Sequence, residues 1–290
     1  VQTCALPIYQ IADYVGVNDL GTAVLLEALL SQPVQRLVVA SSMSIYGEGL
    51  ARTADGREIE PEERTVERLK RGAWELEGPD GGDLEPIPTP ETKHPSLSSV
   101  YALNKFTQER MCLLFGRAYD VPTTALRFFN VYGTRQALSN PYTGVLAIFA
   151  SRLLNGRPPS IFEDGRQRRD FVHVRDVARA CLAALERPEA AGQVVNVGSG
   201  TSRTVEEVAL ALATAVGRPD LKPQITGRFR AGDIRHCFAD VTRAREVLGF
   251  VPLEDFAAGL SELAEWLAGE VAVDRVDQAT EELARRGLVA

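Results

Sequence analysis

The stretch Leu37-Val38-Val39-Ala40-Ser41-Ser42 decides the fold of this 290-residue chain. Its first four residues form a short, continuous apolar run, which is typical of a strand buried on both faces of a parallel sheet. Two serines follow at the carboxyl end of this predicted strand. Because ligands bind beyond the carboxyl ends of strands in open parallel sheets, the same stretch predicts where a functional site lies.

Strands and helices alternate around this run. Apolar residues three and four positions apart predict helices at 9–30, 98–119, 144–154, 174–185 and 253–267. Further strands are predicted at 123–128 and 194–197, and Thr204 with Glu207 forms a capping box that opens another helix. This alternation predicts an α/β fold with a parallel sheet.

The sequence divides into three predicted parts, which are a sheet domain at 1–140, a smaller mixed lobe with returning sheet elements at 141–270, and a polar tail at 271–290. Within the first part, residues 49–95 are rich in Gly, Pro and charged side chains. This composition predicts a surface insertion, with a short helix at 62–70. Because Val1 leads into a helical pattern with no strand before it, we interpret the chain as a fragment.

The composition argues against several classes of protein. A net charge of −7 and a pI near 5.2 disfavour nucleic-acid and anionic-membrane partners, since these attract basic surfaces. No stretch reaches the roughly 18 apolar residues of a membrane span, and the start lacks a signal-peptide pattern. The 4 cysteines are widely separated and match neither a metal motif nor a disulfide framework. These features predict a cytoplasmic protein with reduced thiols and no bound metal.

The strongest chemical signal is Tyr101-Ala102-Leu103-Asn104-Lys105. Residues four apart share a helix face, so the phenol and the ammonium are neighbours. Lowering a tyrosine pKa from about 10 to near 7 requires about 4 kcal/mol of differential stabilisation, part of which a nearby lysine supplies. Alone, this spacing also fits a half-buried tyrosine beside a solvated lysine. Ser42, at the end of the predicted strand, favours the functional interpretation.

The combination of Ser41-Ser42, Tyr46-Gly47 and Tyr101-x-x-x-Lys105 resembles the extended short-chain dehydrogenase/reductases, specifically their NAD-dependent epimerase/dehydratase branch. The resemblance covers residues 9–267. It implies a Rossmann-like doubly wound parallel sheet, here without its N-terminal strands, and a smaller α+β substrate-binding lobe. It also implies NAD as cofactor, a nucleotide-diphosphate sugar as ligand, and a homodimer formed through helices 9–30 and 98–119.

Further segments match the family in order, namely Asn18-x-x-Gly-Thr, the run 127–133 around Asn130, Arg169-Asp170-Phe171 and Arg230-x-Gly-Asp233. The resemblance implies catalytic roles for Ser42, Tyr101 and Lys105. The implied cofactor-binding residues are Asn18, Ala40, Ser41, Tyr101, Lys105 and Phe128. The implied substrate-binding residues are Ser42, Asn130, Val145, Phe162, Arg169, Arg230 and Asp233. The guanidinium groups of Arg169 and Arg230 suit phosphate oxygens. Val145 and Phe162 are less specific, because apolar residues at these positions would also fit an ordinary hydrophobic core.

The Gly-rich dinucleotide turn of this family is absent from the sequence. The run Gly198-Ser199-Gly200 imitates it, but Arg203 occupies the third glycine position, and the run instead matches the family's late Asn-Val-Gly-Ser-Gly. The choice between NAD and NADP therefore stays open, and we expect this chain to bind NAD poorly.

The resemblance implies a transient oxidation of the sugar, in which Tyr101 removes a hydroxyl proton and the hydride returns to the other face. Dehydratases of the family carry Asp-Glu directly after the hydroxyl residue, because loss of water requires an additional acid and base. Met43 and Ser44 occupy those positions here, which favours an epimerase of UDP- or dTDP-sugars. The long insertion is similar to that of dTDP-L-rhamnose 4-epimerase-like proteins, although Gly78-Pro79-Asp80-Gly81-Gly82 replaces a cysteine knuckle. A dehydratase or reductase of the family, and a non-catalytic nucleotide-sugar-binding remnant, stay open as alternatives.

Overall fold

The computed structural model describes residues 11–136, 138, 144–270, 276–285, 287 and 289. The strands within these residues are β1 (Leu37–Ser42), β2 (Ala51–Arg52), β3 (Glu58–Ile59), β4 (Glu85–Pro86), β5 (Thr123–Phe128), β6 (Asn130–Tyr132), β7 (Ser160–Ile161), β8 (Arg168–His173), β9 (Val194–Val197), β10 (Ser202–Thr204), β11 (Gln224–Ile225) and β12 (His236–Cys237). The α-helices are α1 (Ile11–Tyr14), α2 (Gly21–Ser31), α3 (Val66–Lys70), α4 (Val100–Ala118), α5 (Val145–Leu154), α6 (Val174–Glu186), α7 (Val205–Ala215), α8 (Thr242–Leu248), α9 (Phe256–Leu267) and α10 (Val276–Arg285).

The central sheet is parallel, with the strand order β1-β5-β9. Its register places Ser42 opposite Phe128, and Phe128 opposite Val197, at the carboxyl edge. Helices α6 and α8 pack on this sheet and bury β5 and β9. The predicted α/β class and parallel sheet are thereby confirmed.

Strand β1 differs from its prediction. Residues 37–39 are only half-buried and Ala40 is exposed, although the apolar run predicted burial on both faces. Within the described residues β1 pairs with β5 alone, so its other edge is open. Val38 packs against one apolar cluster and Leu37 and Val39 against another, so both faces of β1 are covered and only the extent of burial is lower than predicted.

The second layer is a mixed lobe. Strands β6 and β12 pair in parallel with β8, β10 pairs with it antiparallel, and β7 and β11 form a small separate sheet. Helices α5, α7 and α9 share an apolar core against β8. The predicted capping box is present at the start of α7, where Thr204 accepts the Glu207 N–H and the Glu207 carboxylate accepts the Thr204 N–H.

The predicted helix at 9–30 contains an irregularity. Between α1 and α2, residues Val15–Leu20 form a π-helical turn, a wide turn that is frequent at functional sites. This turn buries Asn18 against α4. The start of the predicted helix at residue 9, and the segment 1–8, lie outside the described residues.

The insertion at 49–95 is largely exposed and contains a small packed unit of its own. Strands β2, β3 and β4 form an antiparallel sheet over a small core of Ala51, Leu76 and Leu84, and α3 is shorter than predicted. The Gly49 N–H donates to His236 O at 2.7 Å, which joins the insertion to β12. Most of its charged residues are exposed as predicted, whereas Arg64 and Lys93 are buried.

The predicted tail also carries structure in its described part. Helix α10 lies there, with Leu283 buried, and Val289 forms an antiparallel bridge with Arg230. No helix among the described residues is long and apolar enough to cross a membrane.

Candidate active site

The carboxyl ends of β1 and β5 set Ser42 beside Phe128. Ser42 caps the 3₁₀ turn Met43–Tyr46, and its Oγ accepts the Ser44 N–H at 3.2 Å. The Ser42 side chain is buried. The hydroxyl predicted to contact a sugar therefore has a position fixed by the turn that follows the strand.

Helix α4 carries Tyr101 and Lys105 along this edge. The helix begins where Ser99 Oγ accepts the Ala102 N–H at 3.1 Å, and it packs on β1 and on the turn Met43–Tyr46. Lys105 Nζ donates to Ala40 O at 3.0 Å, two residues before Ser42. This bond joins the tyrosine–lysine face of the helix to the serine end of the strand.

Of the predicted cofactor residues, Ala40, Lys105 and Asn18 suit a bound dinucleotide, whereas Ser41 does not. Ala40 is exposed beside the Lys105 ammonium, which leaves accessible space at this part of the strand. Asn18 is buried, and its Oδ1 has no hydrogen-bond partner among the described residues. Ser41 differs, because its hydroxyl donates to Glu109 Oε2 at 2.6 Å and is thereby directed into the protein. Exposed Ala40, the Lys105 ammonium and the orphaned amide oxygen of Asn18 are chemically suited to a dinucleotide.

A buried ion pair underlies this edge and was not predicted. Arg127 bonds Glu109 with both ends of its guanidinium, at 2.7 and 3.0 Å. The same guanidinium lies 4.8 Å from the centre of the Tyr46 ring, and the Tyr46 hydroxyl donates to Asn196 Oδ1 at 2.7 Å. Burial raises the pKa of Tyr46 far above its ordinary value, so this phenol is a neutral structural donor.

Asn130 and Asp170 connect the edge to the mixed lobe. The Asn130 amide donates to Asp170 O at 2.9 Å. The fully buried Asp170 carboxylate accepts hydrogen bonds from Ser199, Gly200 and Ala239. Burial raises its pKa to about 6. Asp170 therefore holds the loop at 198–200 in place, next to its neighbour Arg169.

Arg169 lies on β8, and Arg230 lies on the loop that precedes β12. The Arg169 guanidinium donates to Arg235 O at 2.9 Å and to Ile234 O. Arg230 pairs with Asp233 at 2.6 Å. A Cβ on Gly232 would lie 3.5 Å from Ser98 O, so this turn adjoins the start of α4. Arg230 thus lies on a turn that reaches the start of α4, and Arg169 on β8 bonds the backbone that follows this turn.

The two apolar predictions are less distinctive. Val145 is the first residue of α5 and packs against the apolar core of the lobe, which fits the alternative of a core residue. Phe162 is half-buried, and its carbonyl accepts the Gln167 amide at 2.9 Å. His173 caps α6 by accepting the Arg175 N–H on Nδ1 at 3.2 Å, in agreement with a packed strand-end role.

Comparison with known proteins agrees with this arrangement. The family model of the NAD dependent epimerase/dehydratase family matches residues 79–198. The dTDP-L-rhamnose 4-epimerase of Burkholderia thailandensis is 34% identical over 262 residues, which cover 88% of this chain and 69% of that protein. The UDP-glucose 4-epimerase of Mycolicibacterium smegmatis is 39% identical over 181 residues, which cover 62% of this chain and 56% of that protein.

Solved structures give the same result. The UDP-glucose 4-epimerase of Thermotoga maritima with UDP-glucose has a TM-score of 0.74 at 31% identity, and the match covers 92% of this chain and 74% of that one. MoeE5 in complex with UDP-glucuronic acid and NAD has a TM-score of 0.70 at 30% identity, with 91% and 75% covered. The chain belongs to the NAD-dependent epimerase/dehydratase family.

Proposed function

We propose that this chain carries the catalytic residues of an NAD-dependent 4-epimerase of UDP- or dTDP-sugars. The bond from Lys105 Nζ to Ala40 O carries the proposal, because it fixes the Tyr101 helix against the strand that ends at Ser42. The names of the most similar relatives, 4-epimerases of dTDP-L-rhamnose and UDP-glucose, support it.

In the proposed mechanism, Tyr101 removes the proton of a sugar hydroxyl as general base. The Lys105 ammonium on the same helix face favours the charged phenolate and so makes Tyr101 a better base. The Ser42 hydroxyl hydrogen-bonds the reacting sugar oxygen. When bound at Ala40, Lys105 and Asn18, NAD would supply the reversible hydride transfer. Tyr101 returns the proton after the keto sugar has exposed its other face.

The residues after Ser42 favour epimerisation over dehydration. Met43 is buried, and its side chain offers no acid or base. The Ser44 hydroxyl lies 3.2 Å from Ser42 Oγ. Elimination of water needs a proton donor and a base beyond the tyrosine, and neither side chain supplies one at neutral pH.

A homodimer is part of the proposal. Val17, Leu20 and Val24 are large apolar residues exposed on the helical segment 11–31, and Leu103 and Leu114 are exposed on α4. Both elements belong to the pair of helices that the family resemblance implies for dimerisation. Apolar side chains exposed together on neighbouring helices are typical of subunit contacts.

The test is turnover of UDP-glucose and dTDP-L-rhamnose at NAD concentrations high enough to saturate the weak cofactor binding expected of this chain. We expect interconversion of the 4-epimers without net NADH. Tyr101→Phe should abolish turnover while leaving nucleotide-sugar binding largely intact, because it removes only the phenolic hydroxyl that transfers the proton. Tyr119→Phe is the matched control, since that tyrosine follows the same helix and is 57% exposed.

Three outcomes would count against the proposal. Substantial activity in Tyr101→Phe would remove the tyrosine from its role as base. Net formation of NADH would indicate a dehydrogenase, and binding without conversion would indicate a nucleotide-sugar-binding protein. NAD affinity, measured by calorimetry on the same sample, tests the expectation that this chain binds the cofactor poorly.

A further inference from the structure

Four buried charged residues, Glu48, Arg64, Glu163 and Arg235, form what we call the buried charge network. Arg64 comes from the insertion and Glu163 from the mixed lobe, and they are 7% and 2% exposed. They form a two-pronged ion pair, with both Nη–Oε distances at 2.9 Å. Such a pair needs good geometry to offset the cost of removing two charges from water.

The network fixes residues 233–235, at the end of the turn that carries the proposed phosphate ligand Arg230. Arg64 Nη2 donates to Asp233 O at 2.8 Å. The Glu48 carboxylate accepts the Arg235 N–H, with one oxygen at 2.8 Å. Residues 233–235 are thus held from one side by Arg64 and Glu48, while the Arg169 guanidinium donates to the carbonyls of Ile234 and Arg235.

The network also fixes the backbone after Phe162. Glu163 has a φ of +55°, a left-handed conformation that non-glycine residues rarely adopt. Its carboxylate is held by Arg64, and Arg235 Nη1 bonds the same group at 3.0 Å. Arg64 therefore contacts, through one guanidinium, both the residue after Phe162 and the Arg230–Asp233 turn.

We propose that Arg64 is a positioning residue for the nucleotide-diphosphate pocket, and that the insertion supplies it. This inference rests on the proposed function. By joining Glu163 to Asp233 O, Arg64 sets the separation between Phe162 and the Arg230–Asp233 turn before ligand binds. Pockets held in their binding geometry by such supporting contacts bind ligand without a cost of ordering. The insertion is then part of substrate recognition.

The test removes both charges of the pair at once. In Arg64→Met/Glu163→Gln no unpaired charge of this pair is left, and Arg235 keeps its bonds to Asp164 at 2.7 and 3.0 Å. Glu48 loses Arg64 Nε, which lies 3.6 Å away, but still accepts the Arg235 N–H at 2.8 Å. We expect calorimetry to show about tenfold weaker binding of UDP-glucose and of dTDP-glucose, with unchanged affinity for NAD. The matched control is Arg57→Met/Asp55→Asn, which removes an exposed pair of the same insertion at 2.8 Å and should leave all affinities unchanged.

Each result decides for or against the positioning role. A folded double variant that binds UDP-glucose as tightly as the wild type would overturn it, and so would an equal loss of NAD and UDP-glucose binding, which indicates general loosening. If the double variant does not fold, Arg64→Lys keeps the charge but not the two-pronged geometry. Wild-type affinity in Arg64→Lys would then overturn the role.

The wild-type chain separates this inference from the proposed function. If the wild type binds neither UDP-glucose nor dTDP-glucose, the proposed function fails, and the positioning role fails with it. If the wild type binds these nucleotide sugars and the Arg64 variants bind them equally tightly, the positioning role fails and the proposed function stands.

Discussion

Replacing Arg127 by methionine should destabilise the protein strongly. The change leaves the Glu109 carboxylate, which is 1% exposed, without the guanidinium that now bonds both of its oxygens. Removing one partner of a buried pair costs about 3–5 kcal/mol, because the remaining charge is neither solvated nor compensated. Ser41 Oγ still donates to Glu109, so we expect a value near the lower end of this range.

A double-mutant cycle measures this effect. Urea unfolding should give a free energy about 3 kcal/mol lower for Arg127→Met. Adding Glu109→Gln should restore about 2 kcal/mol, because the glutamine carries no charge and can still accept from Ser41. Arg175→Met is the control, since Arg175 is 51% exposed in its pairs with Glu254 and Glu262 and exposed pairs contribute little to stability.

Two results would refute this reasoning. A loss below about 1 kcal/mol in Arg127→Met would mean that Glu109 finds other compensation or takes up a proton without penalty. A double variant no more stable than the single variant would mean that the unpaired Glu109 charge is not the cause of the loss. Either result would remove the ion pair as the support of the serine edge.

Two further predictions concern the loop at 198–200. Burial raises the pKa of Asp170 to about 6. Between about pH 4 and 6 the folded chain therefore binds more protons than the unfolded chain. The free energy of unfolding falls as pH rises through this range, by about 3 kcal/mol in total. Urea unfolding from pH 4 to 7 should show wild type losing stability relative to Asp170→Asn; the opposite slope would mean that the hydrogen bonds from Ser199 and its neighbours outweigh burial. Gly198→Ala should cost about 1–3 kcal/mol, since its Cβ would lie 2.6 Å from Ala239 Cβ and 2.7 Å from Asp170 Oδ2. Gly144→Ala, where a Cβ meets no atom of the described residues within 4 Å, should be neutral in the same assay.

The parts of the fold that local patterns encode were predictable. Apolar runs located β1, β5 and β9, and the Thr204 capping box located the start of α7. The burial of β1 was not predictable in this way, because an apolar run reports a preference for burial and not the number of neighbouring strands. The π-helical turn at Val15–Leu20 likewise lies inside an ordinary helical spacing of apolar residues.

In the candidate site, too, contacts between residues close in sequence were predictable, and contacts between residues far apart in sequence were not. Tyr101 and Lys105 are four residues apart, so their shared face follows from helix geometry. The groups that hold them do not, since Lys105 bonds a carbonyl 65 residues away and Glu109 bonds a hydroxyl 68 residues away. No local spacing predicts such distant pairs. The family motifs contain the proposed reacting residues but do not show which residues hold them in place.

The insertion shows why polarity alone is an unreliable guide to exposure. Charged residues are mostly exposed, so a polar stretch such as 49–95 is reasonably predicted to lie on the surface. A charged residue can be buried when an opposite charge lies next to it, and for Arg64 that charge is Glu163, 99 residues away in the sequence. A buried charge is tolerated only with such a partner, and the partner here lies beside residues proposed to bind the substrate. Most charged residues of the insertion do face solvent as predicted, and buried Arg64 is an exception that is explained by the pocket that it supports.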